Sequence, residues 1–467
     1  MKNTFNTSLN GLDDQRKDEE KILKNGEFIP DKPNDSADGS AVPPPYVTIS
    51  SAAQNLKNGE ATFPTIDEVA FHGLTGIVKH IIAPETEAHP VAILLSLLVA
   101  YGNCIGRNAY FEVAATKHYP NLFAVMVGES GRSRKGTSWN ITKKIFGGFE
   151  PDWVMENMNS GLSTGEGLKY NVRDERRGIN EKGEEVLTDV GIRDKRLLIF
   201  EAEFASVLKV ANRPGNTLST TMRDAWDTGR LNSLTKNDPI TVTDGHISIL
   251  GHITKHELLQ NLTDTDAANG SANRILWAAI KRNNYLPFGG NIPFDIIPFE
   301  NWNEAIKFGK SAGQVKRTKE ADVRWIEIYY ELTNEKYGLL GAITNRAEAQ
   351  VIRLAMIYAL MDCSKLITVE HLNAAYAVWN YCEASAQYIF GERYGDTVAD
   401  TILNQLRNNA GYGMTTTELH RSFGNNKSKA QLERALIELL KKDSIQKRIV
   451  ETGGRPTTFY ELNETTK

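Results

Sequence analysis

Cysteine is scarce here: three residues in a chain of 467, Cys104, Cys363 and Cys382, far apart and set in apolar or helical stretches. An odd, scattered set makes neither a disulfide framework nor a zinc site, so a reducing, cytoplasmic setting is expected. Long apolar runs are missing too. The most hydrophobic stretch, Val91 to Tyr101, is too short to cross a bilayer, and the opening residues MKNTFNTSLNGLDDQRKDEEK lack the apolar core of a secretory signal. A soluble protein with no membrane partner is expected. Charge of one sign is also not in excess: 54 basic against 58 acidic residues leave a net charge of −4. That removes any global electrostatic pull toward nucleic acid, and a DNA contact has to be local.

The remaining composition is that of a globular protein, with 40% apolar residues and length for two or three domains. Residues 1–61 are rich in Asn, Asp, Lys, Gly and Pro, show no sustained period, and read as a disordered tether. From Phe63 to Phe111 apolar residues recur at helical spacing, and Val91, Leu94, Leu95, Leu98 and Val99 make one inward face of a core helix. Then short apolar runs alternate with helices. Leu122–Val127, Leu197–Phe200, Ile247–Leu250 and Ile275–Ile280 are expected strands of a mainly parallel sheet, giving an α/β core over residues 62–299. The charged stretch Arg173–Arg196 interrupts it as an exposed loop or hairpin, or as a loop facing nucleic acid. Residues 300–394 read as a helical lid, with Thr368 capping one of its helices.

Residues 395–467 form a separate unit by pattern. Ile402, Leu403 and Leu406 mark a first helix, and capping boxes at Thr415–Glu418 and Ser428–Gln431 open a second and a third. The strand-like runs Ile445–Val450 and Thr457–Leu462 follow, joined by a glycine-containing loop. That order predicts a winged helix-turn-helix. Its third helix would present Lys427, Lys429, Gln431 and Arg434 to DNA, chiefly to phosphates, and its wing Lys447, Arg448 and Arg455. From Asp396 on, 11 basic and 9 acidic side chains leave only +2, so a protein-docking role stays open.

Chemistry concentrates at Gly128-Glu129-Ser130-Gly131-Arg132-Ser133-Arg134-Lys135-Gly136-Thr137-Ser138, where a strand should end and a helix begin. Glycines let backbone amides wrap an anion, a helix N-terminus adds positive potential, a lysine reaches terminal phosphates, and a hydroxyl binds magnesium. Gly128, Ser130, Gly131, Arg134, Lys135, Gly136, Thr137 and Ser138 are therefore the expected ATP and Mg²⁺ contacts. Lys135 stands seven positions after Gly128 rather than the standard six, and Gly136 intervenes before Thr137. Either Thr137 or Ser138 then meets the metal, and a plain basic surface turn is the alternative. The run Arg196–Phe204 ends in Glu201 and Glu203. On an extended strand these share a side, so Glu201 could hold the cation and Glu203 orient the attacking water, on a strand expected to adjoin the loop. A third strand, His246–Gly251, ends in His252-Ile253-Thr254, where a polar side chain either reports nucleotide state beside the γ-phosphate or is an ordinary satisfied polar residue at a strand end. Arg274, in Asn269–Arg274, either braces its own loop or reaches a neighbouring subunit's phosphate.

In this order, HYPNLF (His118–Phe123), RKGTS (Arg134–Ser138), IFEAEFA (Ile199–Ala205) and GSANR (Gly270–Arg274) resemble a P-loop ATPase family of largely unassigned function. Its members are carried by phages, plasmids and integrated elements, often beside primase modules. The likeness spans about Phe63 to Gly391. More distantly the layout resembles ring-forming replicative helicases. The resemblance implies Lys135, Glu201, Glu203 and Arg274 as catalytic residues, Arg274 as a finger between subunits, and Arg346 or Arg353 as a nucleotide sensor on the lid. It implies a homo-oligomer, such as a hexameric ring, working on DNA as an ATP-driven motor or loader, with a primase as a possible companion. A nucleotide-gated DNA-binding regulator that does not unwind is the alternative. A metal-dependent nuclease built on Glu201 and Glu203 lacks a further acid or His cluster.

Overall fold

The computed structural model describes residues 62–233, 239–262, 269–334, 336, 338–391, 397–409, 413–424, 426–441, 444–451 and 456–463. The tether expected over 1–61 lies outside the described residues, as does Arg455.

Five strands form the central sheet: β1 (Phe123–Val127), β2 (Met158–Asn159), β3 (Arg196–Glu201), β4 (His246–Ile253) and β5 (Ile275–Ala279). All pairings are parallel, in the order β5-β1-β4-β3-β2. Side chains alternate along each strand between two cores. Ala124, Met126, Leu198, Leu250 and Leu276 enter one, whereas Phe123, Val125, Ile199, Ile249 and Trp277 enter the other. Both faces are therefore covered, which is why the strands read as unbroken apolar runs rather than as alternation. The four expected strands are present. The two-residue edge strand β2 is too short to leave a periodic signal.

Helices around the sheet include α1 (Pro90–Cys104), α2 (Lys135–Gly147), α3 (Phe204–Ala211), α4 (Lys255–Asn261), α5 (Lys319–Leu332), α6 (Ala347–Met361) and α7 (Val369–Phe390). The expectation of one inward face on α1 needs correcting. Every residue from Val91 to Cys104 is buried, because α1 lies between the sheet, α2 and α6 and has no solvent side. The 300–394 stretch is mostly helical, as expected. Two short strands interrupt it, however: Gln314–Arg317 pairs with Tyr110–Val113 and with Leu366–Ile367 in a second sheet. Residues of α6 and α7 share one core with α1. Thr368 caps α7 through an unforeseen partner, with His371 Nδ1 accepting from the Thr368 amide at 3.0 Å.

The charged stretch after Arg173 contains an exposed antiparallel hairpin, Arg176–Ile179 against Glu185–Asp189. Arg173 clamps its base through two bonds to Asp189, 2.6 and 2.9 Å. The C-terminal residues build their own core from Val398 to Leu462. It contains the helices Thr397–Asn408, Thr416–Ser422 and Lys429–Lys441 and a three-stranded antiparallel sheet ordered Met414–Thr415, Thr457–Leu462, Ile445–Val450. Both expected capping boxes are formed. Among the described residues, no helix is long and apolar enough to cross a membrane.

Candidate phosphate site at the carboxyl end of the sheet

In open parallel sheets ligands gather outside the carboxyl ends of the strands, and the glycine-bounded loop leaves β1 at that end. Its first turn is held between the neighbouring strands. Gly128 N–H donates to Ile253 O at 3.1 Å, and Ile280 N–H donates to Val127 O at 2.8 Å. A Cβ at Gly128 would meet Ile280 O at 2.6 Å and Ser133 Oγ at 2.7 Å, so this position requires glycine. Gly131 turns the loop with φ +65°. Arg134, just before α2, is also left-handed at φ +54°, a conformation that costs a non-glycine residue about 1 kcal/mol. Its guanidinium is anchored outside the loop, with Nε 2.6 Å from Glu87 Oε2.

Lys135 opens α2 and folds back over the loop. Its Nζ donates to Gly128 O at 2.6 Å, to Glu129 O at 3.1 Å and to Ser133 Oγ at 3.3 Å. Partial burial pulls the ammonium pKa down, and Glu257 opposes that. Ser130, Gly131, Gly136 and Thr137 are exposed. Ser138 is fully buried, its Oγ donating to Lys135 O at 2.7 Å.

The two acids are placed differently from expectation. β3 does not adjoin β1, because β4 runs between them. Glu201 faces Gly251 across the ladder and Gly251 faces Val125, so Glu201 stands two strand spacings, about 10 Å, from the β1 backbone at the same end of the sheet. Nor do Glu201 and Glu203 share a strand face. β3 ends at Glu201, and Glu203 is already the N-cap of α3. Glu201 is buried and accepts Leu162 N–H on Oε1 at 2.6 Å, whereas Glu203 is exposed.

Between β1 and β3 runs β4, which carries His252. This residue is 2% exposed, meets the Phe200 ring edge-on at 5.0 Å, and has no partner for Nε2 among the described residues. Burial, with the nearby Lys135 charge, pushes its pKa down to about 3, so the ring is neutral.

The arginines lie at the other end of the sheet. Arg274 immediately precedes β5, whose Ile275 pairs with Phe123 at the start of β1. It is 6% exposed and grips Asp227, with Nη2 to Oδ2 at 2.5 Å and Nε to Oδ1 at 3.3 Å, and it donates to Gly270 O. Arg346 shares the same carboxylate at 3.4 Å. Both line an open cleft of about 530 Å³ with Asn269, Asn273 and Trp325. Arg353 is not in that cleft. It is buried, donates to Asn121 O and Oδ1 and to Trp226 O at 2.8 Å each, and lies 3.5 Å over the Trp226 ring. In this position it braces the amino end of β1, away from the glycine loop at the other end of that strand. Asp227 and Glu87, the carboxylates that hold these arginines and Arg134, carry no motif that would single them out in the sequence.

One further cluster has metal-ligating side chains: His72, Asp362 and His371, with ligand atoms within 4.8 Å of one another. Both imidazoles point Nε2 at Asp362 Oδ2, at 2.7 and 3.0 Å. Because His371 Nδ1 accepts the Thr368 amide, its Nε2 carries the proton. As it stands, the cluster is a hydrogen-bonded clamp on the 68–75 segment.

On the C-terminal unit Lys429, Arg434, Lys447 and Arg448 are exposed and Lys427 is half-buried. Lys429 is 3.6 Å from Glu433, and Arg448 is paired with Glu461. No family model and no curated protein matches the chain.

Proposed function

We propose that the chain is a P-loop ATPase acting on DNA as a motor or loader. The observation that carries this reading is the placement of the glycine loop, Lys135, Glu201 and His252, whose Nε2 has no partner among the described residues, at the carboxyl end of one parallel sheet. Loop amides and the N-terminus of α2 form an anion site. Lys135, released from Gly128 and Glu129, would bind the β- and γ-phosphates. With Ser138 tied to the Lys135 carbonyl, Thr137 is the hydroxyl left for Mg²⁺. Glu201 offers its second carboxylate oxygen to the metal or its water, since Oε1 already holds Leu162. Glu203 orients the water that attacks the γ-phosphate, and neutral His252 reads the terminal phosphate.

Arg274 fits this scheme only between subunits. A five-residue strand spans about 17 Å, and Arg274 lies beyond its opposite end from the loop of the same chain. A second copy, stacked as in a ring, would bring its nucleotide to the Arg274 cleft, where phosphate competes with Asp227. The C-terminal unit serves in this reading as a winged helix, with Lys429, Arg434 and Lys447 directed at DNA phosphates.

ATP turnover measured with and without single-stranded DNA, for wild type and Lys135→Ala, tests the reading. DNA-stimulated turnover abolished by the substitution is expected, and turnover that survives it unchanged overturns the proposal. A nucleotide-gated regulator is favoured by one feature, the closed Arg274–Asp227 pair. A strand-displacement assay separates them, since only the motor unwinds.

A further inference from the structure

Beside the glycine loop stands a group of aromatic rings that the proposed reaction does not use. Phe63 meets Tyr388 edge-on at 5.3 Å and His89 at 5.9 Å, and His89 tilts against Tyr381 at 6.1 Å. Both tyrosines come from α7, and His89 is the N-cap of α1.

Covalent and hydrogen-bonded links fix this cluster to the loop. Gly128 is bonded to Ile253, and Ile280 to Val127, so β4 and β5 leave the sheet on either side of Gly128. Two residues after Ile253, Lys255 Nζ stands 4.4 Å over the Tyr388 ring. One residue after Ile280, Lys281 Nζ stands 4.3 Å over the Phe63 ring. From the loop itself, Arg134 grips Glu87, two residues before His89. His89 is 9% exposed, and its Nδ1 has no hydrogen-bond partner among the described residues. Burial and the Lys281 charge push its pKa down to about 4, so the ring is neutral near pH 7. In a neutral imidazole each ring nitrogen is either a donor or an acceptor, so Nδ1 can meet one polar atom on the edge of a base.

We propose that Phe63, Tyr388 and His89 form the subsite for the purine base of a nucleoside triphosphate, a reading that rests on the loop holding its phosphates. The rings offer stacking surface, now covered by the two lysine ammoniums; Lys281 exchanges the Phe63 face for phosphate or ribose oxygens when the base arrives, while Lys255 also donates to Tyr388 O at 2.7 Å. His89 Nδ1 supplies the directional contact. Attachment to the loop on three sides favours the base of the bound nucleotide over an unpaired base of a DNA strand.

The test compares the affinities of ATP, CTP and inorganic tripolyphosphate for the full chain, tripolyphosphate reporting the loop alone. Wild type should bind ATP at least about tenfold more tightly than CTP. Phe63→Ala and Lys281→Ala serve as a partly buried and an exposed variant. Phe63→Ala should bring ATP down to the CTP level with tripolyphosphate unchanged, whereas Lys281→Ala, which removes a phosphate or ribose contact common to both nucleotides, should weaken ATP and CTP alike and leave their ratio. A ratio that collapses in Lys281→Ala but not in Phe63→Ala overturns the stacking role. Equal binding of ATP and CTP by wild type overturns the subsite but leaves the loop reading intact. Failure of all three probes to bind overturns the loop reading and the subsite with it. If Phe63→Ala lowers affinity for an oligodeoxynucleotide while the ATP-to-CTP ratio holds, the rings serve nucleic acid and the proposal fails. Photolabelling of wild type with 8-azido-ATP requires no variant: label on the peptides containing Phe63, His89 or Tyr388 is expected, and label confined elsewhere overturns it.

Discussion

The ammonium of Lys135 rests 2.6 Å from the carbonyl oxygen of Gly128, the residue that starts the loop it closes. A cation that satisfies loop carbonyls holds the turn shut until a better anion replaces them. Lys135→Met should therefore have two effects. ATP turnover should fall by roughly 100-fold or more, as expected when a group that stabilises transition-state charge is removed. Amide hydrogen exchange over residues 128–134 should also accelerate in the absence of nucleotide. Unchanged exchange would show that the lysine does not restrain the loop.

Arg274 and Asp227 give a prediction that depends on assembly. Breaking an ion pair from one side is costly when it leaves a buried charge unpaired, roughly 3–5 kcal/mol at full burial. Arg274→Ala leaves only Asp227, about one-third exposed and still held by Arg346, so it should lower turnover with a modest loss of stability. Asp227→Asn strands two arginines, of which Arg274 is only 6% exposed, so it should lower the unfolding midpoint more. If Arg274 serves a neighbouring site, mixing inactive Lys135→Ala with inactive Arg274→Ala subunits restores part of the ATPase rate. No restored activity at any mixing ratio argues for sites complete within one chain.

Buried histidines set the acid limit of the fold. Burial depresses the pKa values of His246 and His252 to about 3 and those of His89 and His118 to about 4. Unfolded, each titrates near 6.5. Between these values the unfolded chain binds more protons, so the stability these groups contribute is intact above pH 6.5 and drains away as pH falls toward 3–4. Denaturant midpoints at pH 7.5, 6 and 5 should decline progressively, by up to about 1.4 kcal/mol per pH unit for each fully buried ring. A flat profile would mean the rings are hydrated in solution.

For the C-terminal unit, charge reversal separates its two readings. Lys429→Glu with Arg434→Glu should weaken binding to DNA of any sequence and reduce the dependence of log affinity on log salt by about 2. These exposed side chains lie outside its core, so the fold should persist. Unaltered DNA affinity points to a protein-docking role.

The legible parts of this chain were those with local causes. β1, β3, β4 and β5 announce themselves as apolar runs because each is buried on both faces. The C-terminal helices announce themselves through Thr415–Glu418 and Ser428–Gln431, pairs that satisfy amides three residues apart. What the sequence hid is non-local. The order of strands is set by crossovers, so nothing in the residues said that β4 would separate Glu201 from the loop. Period-two reasoning placed Glu203 beside Glu201 because it could not see the chain leave the strand between them. The roles of Asp227 and Glu87 depend on partners 47 residues away, in each case an arginine whose pairing only the fold decides.

Both borders of the central sheet are blunted. β2 offers only two residues at one side. At the other, α7 packs along β5, and its Tyr381 hydroxyl donates to Ala279 O at 2.6 Å. Exposed strand borders invite another chain to continue the ladder, the usual route to open-ended fibres. With neither border of this sheet available, another copy cannot extend the central ladder and has to meet this part of the molecule through side chains. Contacts of that kind can close into a finite assembly and come apart again.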